Sequence, residues 1–431
     1  MKLEGIRALV VGMEKSGQAS AAFLRAHGSD VTTTDIRRLD LPLFRPQTDD
    51  LFTENWDLIV LSPGVPADLK PLQHARARGV DVIGEIELAA GFLRGRSIGI
   101  TGSNGKTTTT ALVGHIMQSA GVPAIVGGNI GTPVIAMAEN SRDGQWNVLE
   151  LSSFQLETAR TFRAHIGVCL NVTQNHLDRH YTMENYIYAK GNLFRMQLPG
   201  SYAVLNSGDA VCRGFSEMTV AAPVWFGKSD VRKGHIWLGE DTPLMPLSDV
   251  PIPGLHNAEN VMAAAHVARL AGVPVDQIAA AVRTFRAVEH RLEFTAAIGG
   301  VRYYNDSKAT SVDAAMKAID SFDGNLWVIL GGKDKGSDYT VMRDKLNKKA
   351  RAVLLIGDAA EKIAAHLEGA VRLIPCGTLD RAVSEARANA HPGDTVLLAP
   401  ACASFDQFRS YEQRGQIFKQ LVKDLKNGAA A

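Results

Sequence analysis

Cysteine is scarce and scattered: the 431-residue chain has four, Cys169, Cys212, Cys376 and Cys402, with no C-x-x-C pair among them. That spacing argues against a zinc site and against the disulfide framework of a small secreted protein, and a reducing compartment fits best. An excess of one charge is missing too. Lys plus Arg number 46 against 45 Asp plus Glu, a formal +1, so no global field draws the chain to nucleic acid or to an anionic membrane. Any anion must be bound locally. No apolar run reaches membrane-spanning length, and the start, with Glu4, Arg7 and then Ala8-Leu9-Val10-Val11, has no signal-peptide core or cleavage site. A soluble, cytoplasmic protein is expected. Repeats, heptads and low-complexity tracts are absent, which leaves a monomer as the default, and Asn427-Gly428-Ala429-Ala430-Ala431 reads as a frayed tail.

What is present begins with length, which at roughly 150 residues per domain gives about three domains. The most informative run is Ser97-Ile98-Gly99-Ile100-Thr101-Gly102-Ser103-Asn104-Gly105-Lys106-Thr107-Thr108: a short apolar strand, a glycine turn and a helix opening on Lys-Thr. Glycines let backbone N–H groups face an anion, and the helix N-terminus adds partial positive charge. Lys106 can reach β- and γ-phosphates and Thr107 can ligate Mg²⁺, so the expected ligand is ATP or GTP. Ile100 stands where the full phosphate-loop pattern has its first glycine.

Upstream, Arg7 to Gly12 reads as a strand, Gly17 to His27 as a helix ended by Gly28, and Val31 to Asp35 as a second strand. This is the opening of a nucleotide-binding half-fold. Gly12-Met13-Glu14-Lys15-Ser16-Gly17 puts a carboxylate where the dinucleotide fingerprint needs its middle glycine, which disfavours NAD and FAD. Asp35 has two readings, a ribose acceptor or a solvated strand end. Asp57 to Leu61 then Ser62-Pro63-Gly64 is a further strand and polar turn, and a helical stretch from Glu85 to Leu93 precedes a first boundary near 94.

The central segment continues in α/β style. Trp146 to Leu151 and His165 to Leu170 are buried-type strands that deliver Glu150 and, past Asn171-Val172-Thr173, His176 at their carboxyl ends. Beside a phosphate loop, Glu150 suits a share in Mg²⁺; without one it would be a buried ion-pair partner. His176 suits a metal or phosphate, or is an ordinary loop histidine. Lys190 lies in a helical stretch where the default is a surface charge. Asn257 and Asn260, three apart on one helix face, suit the edge of a base or sugar, with helix capping by Asn257 as the alternative. A second boundary falls near 287. Beyond it, strands near Leu326 to Leu330, Ala352 to Ile356 and Thr395 to Ala399 and the loops Asp306 to Thr310, Gly331 to Gly336 and Ser404 to Phe408 form a third α/β series suited to a second anion, such as a carboxylate.

Together these segments resemble the Mur ligase family, the ATP-dependent amide-bond-forming enzymes of peptidoglycan precursor synthesis. The marks run in order along nearly the whole chain: Thr101 to Thr107, Gly127-Gly128-Asn129-Ile130-Gly131, Glu150 to Leu156, Asn171-Val172-Thr173, His176 to Arg179, His290-Arg291, Asn305 to Thr310 and Pro400 to Ser404. Ser152-Ser153-Phe154-Gln155-Leu156 and Ala401-Cys402-Ala403-Ser404-Phe405-Asp406-Gln407-Phe408 point to the D-glutamate-adding branch.

The resemblance implies an α/β protein of three domains. Residues 1–94 would be a Rossmann-like domain for the UDP-substrate, and 95–287 a central P-loop-type ATPase domain with a mostly parallel sheet. Residues 288–431 would be a Rossmann-like domain that binds the amino acid and closes on ATP. It implies UDP-N-acetylmuramoyl-L-alanine and D-glutamate as substrates, and a bacterial cytoplasmic setting. By resemblance the UDP-substrate would meet Ser16, Asp35, Ser62, Asn129 and His176. ATP would meet Gly102, Ser103, Asn104, Gly105, Lys106, Thr107, Thr108, Asn260, Arg291, Asp306 and Lys308. D-glutamate would meet Thr310, Lys335, Ser404 and Tyr411, the last replacing the family's usual phenylalanine. Two Mg²⁺ ions would be served by Thr107, Glu150, His176 and a carbamylated Lys190, with Lys106, Glu150, His176 and Lys190 as the catalytic set. Asn175 stands where the family has an acidic residue. Another ligase on the same scaffold, or a nucleotide-dependent switch that binds a partner, are the competing readings; the N-terminal domain speaks against folate-type ligases, which begin at the ATPase domain.

Overall fold

The computed structural model describes residues 2–286, 288–334 and 336–428. The expected boundary at 287, the position Lys335 and the last three residues of the expected tail lie outside the described residues. The chain clusters into two compact units, one of Met1–Asp249 with Glu259–Arg283 and one of Val250–Ala258 with Thr284–Ala431.

In the first unit, short apolar runs such as Leu58–Leu61 become strands buried on both faces, the condition under which parallel sheets form. Asp30–Thr34, Arg7–Val11, Leu58–Leu61 and Asp81–Gly84 lie side by side in that order, all parallel. From Arg7–Val11 the chain first pairs on one side and then returns to the other. The crevice this reversal leaves at the strand carboxyl ends is where such sheets take ligands.

A second parallel sheet of the same unit runs Ala222–Phe226, Tyr202–Asn206, Ile166–Cys169, Arg96–Thr101, Trp146–Glu150, Ala124–Gly128. Its reversal falls between Arg96–Thr101 and Ile166–Cys169, so the phosphate loop and Asn171 emerge side by side. An antiparallel sheet of Val231–Arg232, His235–Trp237 and Pro243–Pro246 is also present, which the sequence pattern did not announce. Its first turn is made by Lys233 and Gly234, both at positive φ, the backbone that a two-residue hairpin needs.

The second unit holds one six-stranded sheet. Glu293–Ile298 pairs antiparallel with Val301–Asn305, and Thr395–Leu398, Leu326–Gly331, Ala350–Ile356 and Leu373–Gly377 continue it in parallel. The α/β class with mostly parallel sheets is as expected, and element limits differ by a few residues. The first helix is Lys15–Ala26, and the helix read to Leu93 stops at Ala90, just before Gly91.

Candidate functional site

The phosphate loop is held open from behind. Ser103 N–H donates to Asn171 O at 2.8 Å and Asn104 N–H to Asn171 Oδ1 at 2.9 Å, while Asn171 Nδ2 returns a 3.2 Å bond to Asn104 O. Ser103 Oγ donates to Thr173 O at 2.9 Å and accepts Thr173 N–H at 2.9 Å. Ser103 and Asn104 therefore serve the loop's shape. The groups that can face an anion belong to the next turn: Gly105 takes φ +85 as N-cap of helix Lys106–Ser119, whose opening residues Lys106, Thr107 and Thr108 would present their N–H groups along the axis. A side chain at Gly105 would stand 2.3 Å from Asn260 Oδ1, and Asn260 also accepts from Thr109 Oγ1 at 3.3 Å, which places Asn260 against the start of the phosphate helix. Gly102 bends away at φ +152, and its carbonyl accepts from both Lys106 Nζ at 2.8 Å and Lys190 Nζ at 2.9 Å.

Lys190 is not the surface charge that its neighbours alone would give. It is 1% exposed on helix Met183–Arg195, with Nζ 4.6 Å from the centroid of the Tyr186 ring. Burial first, and then repulsion from Lys106, lower its pKa to about 7. The next strand end delivers Glu150, 2% exposed; Asn129 Nδ2 donates to its Oε1 at 2.8 Å, and Oε2 has no hydrogen-bond partner among the described residues. His176 is exposed at φ +56, with Asn175 Oδ1 accepting its N–H at 3.0 Å. Asn175 thus supports the left-handed turn on which His176 sits. Among the described residues no cluster of three or more His, Cys, Asp or Glu could hold a metal by itself. A cation here would need phosphate and water to complete its shell, as magnesium commonly does.

At the carboxyl end of the first sheet a cavity of about 480 Å³ is lined by Gly12, Ser16, Asp35, Ser62, Asn129 and neighbouring residues. Four of the five positions expected to meet the UDP-substrate converge there; His176 does not line it. Asp35 is no solvated strand end. It is 5% exposed, accepts Met13 N–H at 2.8 Å and Arg37 N–H at 2.9 Å, and hydrogen bonding to the Arg37 side chain leads the lowering of its pKa to about 2. Ser62 Oγ donates to Gly12 O at 2.6 Å, fixing the first turn. Gly17 is required beside it, because a Cβ there would lie 1.8 Å from Gly12 O.

The second unit gathers its own polar loops at the carboxyl ends of its parallel strands. Asp306 is buried and accepts Leu292 N–H at 3.2 Å; burial raises its pKa to about 6 against the pull of Arg291 and Lys308. Lys308 Nζ stands 5.4 Å from the centroid of the Tyr411 ring, and Ser307 Oγ donates to Tyr411 O at 2.8 Å. Ala401 N–H donates to Ala309 O at 2.9 Å, joining the loop that bears Thr310 to the loop that bears the buried Ser404. In helix Leu255–Leu270, Asn257 Nδ2 donates to Pro253 O at 2.6 Å, so Asn257 is a donor within the first turn rather than the accepting cap.

Residues 100–268 match the Mur ligase middle domain and residues 290–402 the glutamate ligase domain of the Mur ligases. The chain is 61% identical to the UDP-N-acetylmuramoylalanine–D-glutamate ligase of Solibacter usitatus, over 99% of both chains. The chain belongs to the Mur ligase family. A second relative of the same name, from Acidobacterium capsulatum, is 51% identical over 100% of this chain and 99% of its own. Among solved structures, the Mur ligase fold is shared with the UDP-N-acetylmuramate-alanine ligase MurC of Thermotoga maritima at TM-score 0.63 and 17% identity, covering 97% of this chain and 99% of that one. MurF of Acinetobacter baumannii gives TM-score 0.60 at 19% identity, covering 99% and 91%.

Some residues of this Mur ligase site escaped assignment from the sequence. Asn171 was legible as a polar group at a strand end, without its role as the loop's backing. Arg179 bonds Glu157 Oε2 at 2.6 Å and Val65 O at 3.0 Å, which ties the turn after Ser62 to the helix after Glu150; no local pattern announces such a pairing. Lys190 was singled out only by the family resemblance; its burial beside Tyr186 and Leu193 is seen in the structure.

Proposed function

We infer that this chain is an ATP-dependent ligase that joins D-glutamate to UDP-N-acetylmuramoyl-L-alanine, a step of peptidoglycan precursor synthesis. The observation that carries this reading is the 61% identity, over the whole length, to a relative named for that reaction. A carboxylate does not condense with an amine at neutral pH, so it must be activated. An oxygen of the alanyl carboxylate attacks the γ-phosphorus of ATP, the bond to the ADP oxygen breaks, and an acyl phosphate forms. The unprotonated amine of D-glutamate attacks the acyl carbon, and the tetrahedral intermediate expels phosphate to leave the amide. The first step brings two anions together. Lys106 and the N-terminus of helix Lys106–Ser119 offset that charge at the γ-phosphate.

Magnesium fits the residues present, because Glu150 Oε2 is buried with no hydrogen-bond partner among the described residues, and Thr107 opens the phosphate helix. Two ions would be held by Thr107, Glu150, His176 and a carbamylated Lys190, together with phosphate oxygens. Bound there, magnesium would neutralise phosphate charge. Lys190 supports the carbamate reading through its burial and lowered pKa, which keep much of the amine neutral and nucleophilic toward carbon dioxide.

The cavity lined by Ser16, Asp35, Ser62 and Asn129 is assigned to the UDP-substrate, and the loops bearing Thr310, Lys335, Ser404 and Tyr411 to D-glutamate. Asn260, Arg291, Asp306 and Lys308 are assigned to ATP, and the domain limits to 1–94, 95–287 and 288–431. Among the described residues no helix is long and apolar enough to cross a membrane, and we place the protein in the bacterial cytoplasm as a monomer. Mass spectrometry of the product tests the reaction: the nucleotide must gain one glutamyl residue, and an unchanged nucleotide mass after ATP turnover would refute it.

A further inference from the structure

Within the first unit, the cavity sheet and the phosphate sheet are joined at their frames and, separately, at the loop that walls the cavity. The frame joint is Glu87, a buried carboxylate of helix Glu85–Ala90. Its Oε2 accepts Arg160 N–H at 2.7 Å and its Oε1 accepts Thr161 N–H at 2.9 Å. The loop joint comes from the short helix Leu177–His180, whose N-cap is His176. Arg179 Nη2 donates to Val65 O at 3.0 Å and to Glu157 Oε2 at 2.6 Å. Val65 lines the cavity, as do Gly64, Pro66 and Leu69 of the same loop. Tyr181 Oη donates to Asp68 Oδ2 at 3.1 Å. Two side chains of one turn therefore grip the cavity loop at two points.

The Arg179 side chain is 10% exposed, its guanidinium lies 5.5 Å from the centroid of the Phe154 ring, and Nε and Nη1 have no hydrogen-bond partner among the described residues. Its hydrogen bonding is concentrated in the one nitrogen that bridges the two sheets. The turn enters and leaves through positive φ, at His176 with φ +56 and at Tyr181 with φ +66 and ψ −43. Residues with side chains hold such backbone only where their surroundings fix it. On the other side of the turn, His180 Nε2 lies 2.9 Å from Ser153 Oγ, at the start of helix Ser153–Glu157, which follows the strand that ends at Glu150. The turn is thus fixed to the phosphate-sheet side, and Arg179 carries that position across to the cavity loop. Because Glu87 holds the frames independently, loss of Arg179 frees the loop without freeing the sheet.

The UDP-substrate is one molecule with two working ends. Its nucleotide is assigned to the cavity, and its alanyl carboxylate must reach the γ-phosphate beside Lys106, so the separation of the cavity wall from the phosphate strands has to match its length. We propose that Arg179 is a positioning residue that sets this span and so lets the muramoyl-alanyl arm bind in line with the ATP phosphates. The proposal rests on the assignment of the cavity to the UDP-substrate. Calorimetry of the full-length protein, without ATP or magnesium, measures Kd for UDP and for UDP-N-acetylmuramoyl-L-alanine in wild type, Arg179→Met, Arg179→Lys, Tyr181→Phe and Ser16→Phe, and phosphate release gives kcat. Arg179→Met should leave Kd for UDP within about twofold, shrink the affinity gained through the arm about tenfold and lower kcat about tenfold. Arg179→Lys should recover part of that gain, since it keeps the charge but not the planar fork. Tyr181→Phe, which loses the second grip alone, should cost about threefold. If Arg179→Met does not fold, the other two carry the test. Equal weakening of UDP and of the whole substrate would mean that Arg179 only shapes the cavity wall, and an arm that gains as much in Arg179→Met as in wild type would mean that it sets no span; either result overturns the proposal, as does a wild type that gains nothing from the arm. Should Ser16→Phe, which fills the cavity, abolish UDP binding while the Arg179 variants behave as wild type, the cavity assignment stands and the positioning role falls. Should Ser16→Phe leave UDP binding intact, the cavity assignment falls and takes the proposal with it.

Discussion

Asn129 Nδ2 donates to Oε1 of Glu150 at 2.8 Å, and the other oxygen of that buried carboxylate has no hydrogen-bond partner among the described residues. A residue of the cavity at the first sheet thus fixes the orientation of a carboxylate at the end of a phosphate-sheet strand. On the assignments proposed above, binding of the UDP-substrate and placement of the catalytic carboxylate would share one amide.

From that sharing, Glu150→Gln should lower kcat by at least about 100-fold, because it removes charge where the proposal above puts the metal and phosphates. Asn129→Ala should raise the magnesium concentration for half-maximal activity by about tenfold, the usual scale for losing a group that orients a ligand. A magnesium titration of phosphate release reads both. A rise confined to the KM of the UDP-substrate in Asn129→Ala would show that the amide does not act through Glu150.

Lys190 makes a spectroscopic prediction. With its pKa lowered to about 7 by burial and by Lys106, the neutral amine grows as pH rises through 7, and carbamate formation should grow with it. Enzyme incubated with ¹³C-bicarbonate at pH 8 should show a carbamate carbon resonance that Lys190→Ala lacks. Enzyme stripped of carbon dioxide should regain activity on adding bicarbonate. Identical spectra for the two proteins would remove the carbamate.

Glu85 predicts how stability depends on pH. Oε1 accepts Ile135 N–H at 2.7 Å in the first turn of helix Val134–Ala138, and burial lifts the pKa from 4.5 to about 7. Between those values the folded chain binds more protons than the unfolded chain, so this carboxyl lowers stability as pH rises from about 4.5 to about 7. The full difference is on the order of 3 kcal/mol. Urea unfolding of Glu85→Gln should therefore show its greatest gain over wild type above pH 7 and none near pH 4.5; a gain independent of pH would exclude this source.

Where the sequence was legible, short-range chemistry decided the outcome. Ser97–Thr108 announces strand, turn and helix because each step uses a local rule, and the parallel sheets follow from apolar runs spaced by helices. Asp35 and Lys190 were ambiguous for the opposite reason. Their burial depends on Met13 and Arg37 in one case and on the phosphate strand in the other, and a pattern read residue by residue does not contain those partners. The hairpin turn at Lys233-Gly234 and its proline-flanked third strand Pro243–Pro246 are weak strand signals for the same reason.

Arg414 is a buried cation held by oxygen atoms that carry no formal charge. It is 0% exposed and donates to Ser307 Oγ at 3.0 Å, Ser307 O at 2.8 Å, Cys402 O at 3.2 Å and Ala403 O at 3.4 Å. Arg414→Met would keep apolar volume while taking the donor from the Ser307 and Cys402 carbonyls, at a cost of about 3 kcal/mol. Hydrogen exchange should accelerate in Val301–Asn305 and Thr395–Leu398 while Arg7–Val11 in the first unit stays protected. Unchanged exchange in the second unit would show that the guanidinium is dispensable to its fold.

The central claim is that the chain couples ATP turnover to the capture of one particular amine. Phosphate release, measured with ATP, magnesium and UDP-N-acetylmuramoyl-L-alanine, should require D-glutamate and stay at background with L-glutamate, L-lysine or meso-diaminopimelate. Release that proceeds equally with any of these acceptors, or with none, would contradict the ligase account and leave only a nucleotide-hydrolysing phosphate loop.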